Sequence, residues 1–312
     1  MGERLPRTRS ERALRRLPSV GARQGAGCRR LLGVRAVEAG VDRPRPDAEV
    51  AHLGTRLGPR PDLRDHVRVM IVLHTLTHRW YAFAFVIAFF WAATAERSWR
   101  GALRFILVAS GISLAAEYLS THTGFPYGRY DYIATTHGYE LYVSNVPLFV
   151  PLSFGTVVWA GRALVNRTNV SPGILILGGA LFAAAIDLVI DPMTLRGGTW
   201  FLGWLYAYRA PGQWFDVPLT NYAGWIFVGA LILTVDALFE ARAQKQVDAA
   251  RGPMLAYGMC GFFIVVALAT RHWAIAGASA GVTIVMLSIA RARLGRATAV
   301  GTVSSAGPQA QL

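Results

Sequence analysis

Seven apolar stretches, at 80–95, 102–120, 146–164, 173–190, 222–239, 253–270 and 273–290, dominate the chain from residue 69 onward. A bilayer's hydrocarbon core takes about 20 apolar helical residues per crossing. Soluble core helices seldom follow one another in this number at this length, and helices satisfy their own backbone polar groups in lipid. The pattern therefore predicts an all-α fold: a polytopic transmembrane helix bundle of about seven spans over 69–296. The first stretch is short, so the first span is expected to begin earlier, around Val67, with Arg79 snorkelling to the interface. In the last stretch Gly277 and Gly281 are four apart with small residues between, a surface suited to close helix packing.

Composition agrees. Of 312 residues 53% are hydrophobic and 16% charged, with a mean hydropathy of +0.35. A soluble chain is nearer a quarter charged. Two cysteines, Cys28 and Cys260, exclude a disulfide scaffold. The net charge of +14 is unevenly placed: residues 1–68 hold sixteen arginines and eight acids, with no long apolar run. That segment carries Arg43-Pro44-Arg45-Pro46 and Gly58-Pro59-Arg60-Pro61 and is expected to be disordered. It reads first as a solvated tail, or as an extension upstream of a start at Met70. A patch for anionic lipid head groups is the second reading. Nucleic acid is not expected as a partner, because the segment has no aromatic residue to stack on bases. Arg15-Arg16 is not followed by an apolar region, so a signal peptide is not expected. Residues 297–312 form a second tail expected to be disordered.

Basic residues cluster at 96–101, at 165–172 with Arg162 at its edge, at 240–252 and after 290, which places those four regions on the cytoplasmic side of a cell-membrane protein. Loops 122–145 and 191–221 then face outward. The basic N-terminal segment would also lie outside, against the same rule, which is weak for long segments.

The two outward loops hold thirteen of the chain's 35 aromatic residues. An aromatic belt at the head-group level accounts for some of them. Beside them stand acids. Glu117 lies inside the second span, and Asp187 and Asp191 share one helix face at i, i+4 near the end of the fourth. Ionisable groups inside a span are costly and usually face the bundle interior, where they mark a site. Pairing with arginine or capping of backbone groups is the structural alternative. A buried carboxyl favours its neutral, proton-donating form, and aromatic faces favour a cation. Together they suit protonation of an alkene and shelter of the carbocation, on a lipid-soluble substrate arriving from the bilayer. No metal site is expected: His74 and His78 lie at i, i+4, but without further ligands they read as interfacial. The spacing Asp187-x3-Asp191 is shared with membrane prenyltransferases, whose second acidic motif has no counterpart here.

The run Glu117-Tyr118-Leu119-Ser120-Thr121-His122-Thr123-Gly124-Phe125-Pro126-Tyr127-Gly128-Arg129-Tyr130-Asp131-Tyr132 resembles the membrane carotenoid biosynthesis protein family. So do Asn145-Val146-Pro147-Leu148-Phe149-Val150-Pro151, Asp187-Leu188-Val189-Ile190-Asp191-Pro192, Gly198-Thr199-Trp200 and Val217-Pro218-Leu219-Thr220-Asn221-Tyr222-Ala223-Gly224-Trp225. The resemblance spans about 80–290 and leaves the N-terminal segment out. Asp216 stands where a glycine is expected, and Phe154 where a tryptophan is.

Characterised relatives of the bisanhydrobacterioruberin hydratase and gamma-carotene hydratase type add water to the terminal double bond of an acyclic carotenoid end. The resemblance implies that activity here: a carotenoid hydratase giving a tertiary alcohol. Hydration is redox-neutral, so no cofactor is expected. Expected partners are the carotenoid, membrane lipid and other enzymes of the pathway. Asp187 or Glu117 is the expected acid, and Asp191 or Asp131 the expected base. Trp200, Tyr127 or Trp225 would shelter the cation, and Asn221 and Tyr130 would position water. A transporter or lipid-binding protein using the same carboxylates is the alternative.

Overall fold

The computed structural model describes residues 63–133, 136–166, 170–240 and 250–305, with side chains from 65 to 291 within those ranges except at 240. They fall in the second of the chain's two units, 61–312. The N-terminal segment up to residue 62 and residues 306–312 lie outside the described residues.

Among the described residues eight α-helices follow in chain order. They are α1 (Leu63–His78), α2 (Trp80–Glu96), α3 (Trp99–Thr123), α4 (Phe149–Val165), α5 (Pro172–Thr194), α6 (Leu219–Glu240), α7 (Arg251–Ala269) and α8 (Trp273–Ser305). Local chemistry sets several ends. Ser98 caps α3 by accepting from the Gly101 amide, and Gly124 ends it in the left-handed conformation, φ 90°. Ser171 caps α5, with Pro172 in its first turn.

Every apolar stretch forms most of a helix, but not every one of these helices is long and apolar enough by itself to cross a membrane. Among the described residues five helices are long and apolar enough to cross a membrane: α3, α5, α6, α7 and α8. A sixth span arises if α1 and α2, which meet at 77°, are one broken span. The remaining helix, α4, has 17 residues and rises about 25 Å, short of the ~30 Å hydrocarbon core. The protein is a multi-pass membrane bundle.

α4 is its centre. Fourteen of its residues are buried, and it packs against α2, α3, α5, α6 and α7. Its approach to α5 is set by glycine: a Cβ on Gly161 would lie 2.5 Å from the Ala183 amide nitrogen and the Gly179 carbonyl oxygen. Gly277 and Gly281 do not play that part. Both point away from the bundle with no neighbour within 4 Å, because Ile275, Ala276, Ser279, Met286 and Ala290 form the buried face of α8.

Two expected boundaries also move. α1 begins at Leu63, inside the segment expected to be disordered, with Asp65 in its first turn. α8 continues to Ser305, past 296.

Arg79 does not snorkel. It sits fully buried at the α1–α2 bend, 2.9 Å from buried Glu140, 4.6 Å over the Phe149 ring, and donates to the Leu202 carbonyl. A charge so enclosed is held by its partner and by those donor contacts. The α1–α2 bend is thereby tied to both long loops. At the opposite end, Arg97 and Arg162 flank the Trp159 ring at 4.3 and 4.7 Å. Arg97 pairs bidentately with Asp236 at 2.9 and 3.1 Å, and Arg162 with Glu96 at 2.9 Å. These two arginines, counted in the sequence among the basic residues of the cytoplasmic side, are buried in ion pairs.

Candidate functional site

The long loops come together through two short strands. β1 (Tyr130–Tyr132) pairs antiparallel with β4 (Tyr206–Tyr208), with Tyr130 opposite Tyr208 and Tyr132 opposite Tyr206. Between them in sequence, β2 (Tyr142–Val143) and β3 (Val146–Pro147) form a hairpin leading into α4. Side chains alternate across a strand. The four tyrosines therefore share one face of the β1–β4 ladder, while Asp131 and Ala207 take the other.

On the inner face, Tyr130 and Tyr132 both donate to Glu117 Oε2 of α3, the latter at 2.7 Å. Tyr206 donates to Asp191 Oδ1 at 2.7 Å. Burial, and next a neighbouring carboxylate charge, hold these phenols and Tyr208 well above the ordinary tyrosine value. They remain O–H donors at any physiological pH.

Asp187 and Asp191, one turn apart on α5, are both buried. Asn221, in the first turn of α6, donates from Nδ2 to Asp187 Oδ2 at 2.7 Å and to Asp191 Oδ2 at 2.9 Å. Asp191 thus accepts at both oxygens. Asp187 Oδ1 is buried without a hydrogen-bond partner among the described residues.

Both aspartates border a cavity of about 110 Å³. The rest of its wall is largely apolar and aromatic and includes Phe154, Trp200, Trp225 and Phe263. Phe154 and Trp225 stack at 3.8 Å and 12°. Trp200 is oriented by donating to the Met193 carbonyl at 2.9 Å. The cavity lies where the acids of α5 meet the aromatic loop, between α2, α4, α6 and α7.

Residues 69–289 match the family of carotenoid biosynthesis proteins. The chain belongs to that family. It is also 29% identical over 143 residues to the bisanhydrobacterioruberin hydratase of Haloarcula japonica, a match covering 43% of this chain and 44% of that protein. The chain thus spans less than half the length of that curated relative. No solved structure matches.

In this carotenoid biosynthesis protein the expected site residues divide into three groups. Asp187, Asp191, Trp200 and Trp225 meet at the cavity, and Asn221 holds the two acids. Glu117, Tyr127 and Tyr130 are buried close behind but do not line it. Tyr127 is seated by Gly224, where a Cβ would lie 2.5 Å from its ring, and its own ring is 5.9 Å from Phe154.

Asp131 is a correction. Strand alternation turns it outward, where it pairs with Arg209 at 2.8 and 3.0 Å. The Arg209 hydrogen bond holds its carboxyl below the usual range, and its side chain is 56% exposed. It is not part of the buried site.

Tyr206 and Phe154 were not singled out as site residues. The signal for Tyr206 was the repeated Tyr-x-Tyr of 130–132 and 206–208, a period-two pattern that places both pairs on one face. His74 and His78 stack on each other at 5.3 Å, and among the described residues no group of three or more His, Cys, Asp or Glu side chains is placed to hold a metal.

Proposed function

We propose that this protein adds water to a terminal double bond of an acyclic carotenoid end by acid catalysis, giving a tertiary alcohol. The observation that carries the reading is a pair of buried carboxyls on the wall of an otherwise apolar, aromatic cavity. Such a wall takes an isoprenoid tip and brings a proton to it. At about 110 Å³ the cavity is smaller than the ~150 Å³ void that holds benzene. It suits one branched end of a long polyene, whose remainder would lie toward the bilayer. Proton transfer to the less substituted alkene carbon makes a tertiary cation. Trp225, stacked on Phe154, and Trp200 supply π faces that favour that charge. Water then adds to the cation and gives up a proton.

Family membership supports a place in carotenoid biosynthesis. The name of the Haloarcula japonica relative supports hydration as the reaction. We also infer that the aromatic end of the bundle faces away from the cytoplasm and that α4 crosses as a seventh, enclosed span.

The test is expression of the full chain in cells making acyclic or monocyclic carotenoids, with pigments analysed by mass spectrometry. A gain of one water, lost in the Asp187→Asn variant, is expected. An unchanged pigment profile across several substrates would favour a transport or lipid-binding role for the same acids.

A further inference from the structure

Two carboxyls on one cavity wall leave open which gives the proton and which takes it. We propose that Asp187 is the proton donor and Asp191 the proton acceptor, with Tyr206 the positioning residue that keeps them in those roles. The assignment rests on the hydration reading above.

It follows from the donors each acid receives. An ionised carboxylate only accepts hydrogen bonds, and donors aimed at it favour the charged form. Asp191 has one donor on each oxygen: the Tyr206 hydroxyl at 2.7 Å on Oδ1 and the Asn221 amide at 2.9 Å on Oδ2. Both oxygens thus meet a donor, which favours the charged form that can take a proton, and each keeps a second lone pair to receive it. Asp187 accepts once, from Asn221 at Oδ2, and its Oδ1 has no partner among the described residues although it is fully buried. That oxygen can carry a proton without breaking a contact, on a residue that borders the cavity. The single Asn221 nitrogen has two hydrogens and serves both acids, which keeps them adjacent.

Tyr206 owes its place to the β1–β4 ladder. Its cross-strand partner Tyr132, and Tyr130 beside it, are anchored on Glu117. Glu117 does not border the cavity. It acts through the tyrosines, fixing the ladder that aims Tyr206 at Asp191.

The steps balance. The alkene π pair takes the proton from Asp187 Oδ1, forming a C–H bond and a tertiary cation and leaving Asp187 ionised. A water oxygen lone pair forms the C–O bond, and the water's proton passes to Asp191. The proton gained by Asp191 returns to Asp187, directly or through solvent, and the net change is addition of one water.

Deuterium distinguishes the two acids. Membranes containing the full chain and an acyclic carotenoid substrate are incubated in D2O, and both alcohol and recovered substrate are analysed. Wild type is expected to give alcohol with deuterium on the carbon next to the carbinol. Asp191→Asn is expected to make at least a hundredfold less alcohol, yet to return substrate deuterated in its end group, because the cation still forms and collapses back to Asp187. Asp187→Asn is expected to give neither alcohol nor deuterium. Asp191→Ala serves as the second variant should the amide fail to fold.

Tyr206→Phe is expected to lower hydration about tenfold at neutral pH and to move the acid limb of the pH profile upward, since Asp191 then loses a donor. The titratable groups acting on Asp191 are Asp187, Glu117, Tyr127, Tyr206, Tyr208 and Tyr222. A loss of fold alone would scale activity equally at every pH, and that result removes Tyr206 from the assignment. Deuterium exchange in Asp187→Asn, or none in the folded Asp191 variants, overturns the assignment while hydration stands. A wild-type protein that adds no water overturns the hydration reading, and the assignment with it.

Discussion

Asn221 lies 2.7 Å from Asp187, joining the first turn of α6 to the last turns of α5 across 34 residues of sequence. The same nitrogen reaches Asp191 at 2.9 Å. Replacing Asn221 with Leu removes the shared donor and leaves two buried carboxyls with an apolar neighbour. A bond from an amide to a charged group is worth about 1.5–3 kcal/mol. Detergent-solubilised N221L is expected to melt earlier than wild type and to lose at least tenfold in hydration per folded molecule, measured by pigment conversion.

The Phe154–Trp225 stack forms one wall of the cavity. Tryptophan at 154 would add a ring to a space of only about 110 Å³. Overpacking of this kind costs ~1–3 kcal/mol where it forces neighbours to shift. F154W is expected to stay folded, to raise KM for an acyclic end at least fivefold, and to change which carotenoid end is accepted. A substrate-competition assay reads this directly. Unchanged KM and selectivity would place the substrate elsewhere.

Arg79 and Glu140 are a fully enclosed pair at the α1–α2 bend. Removing one partner of a buried pair costs ~3–5 kcal/mol because the other charge is left uncompensated. R79M and E140L are each expected to be strongly destabilised. The double variant should be much closer to wild type than the sum of the two. A double-mutant cycle of detergent melts measures the difference, and simple additivity would argue against the pair as the link between the bend and the loops.

Gly161 admits α5 to within 2.5 Å of where a Cβ would stand, and the atoms met are backbone. G161V must separate α4 from α5 and is expected to lose most folded protein. G277V, on the outward face of α8, should express normally. Fluorescence size-exclusion profiles of the two variants test this contrast.

Asp131 and Arg209 form an exposed pair. The depressed carboxyl contributes its stabilisation above the ordinary carboxylate range, and that contribution is lost only as pH falls through the lowered value. At neutral pH the solvated pair adds little. D131N is expected to keep at least half of wild-type hydration and an unchanged melting midpoint at pH 7. A hundredfold loss of activity would return Asp131 to the site.

Much of this molecule is local and therefore legible in order of residues. Apolar run length sets where helices form, because a span must cover a fixed thickness of hydrocarbon. The i, i+4 spacing of Asp187 and Asp191 sets their common face, because the helical period is the same everywhere. Other features depend on which distant elements touch. Three-residue strands are too short to announce themselves, so the ladder that carries Tyr206 to Asp191 and turns Asp131 outward emerges only when the loops pair. Arg79 looked like an interfacial arginine because Glu140 is 61 residues away. The sequence by itself determined a membrane bundle with acids and aromatics gathered at one end. Tertiary structure alone decided which acids border the cavity, which of their oxygens meet donors, and which charges are paired, because those depend on distances between helices that no single helix specifies.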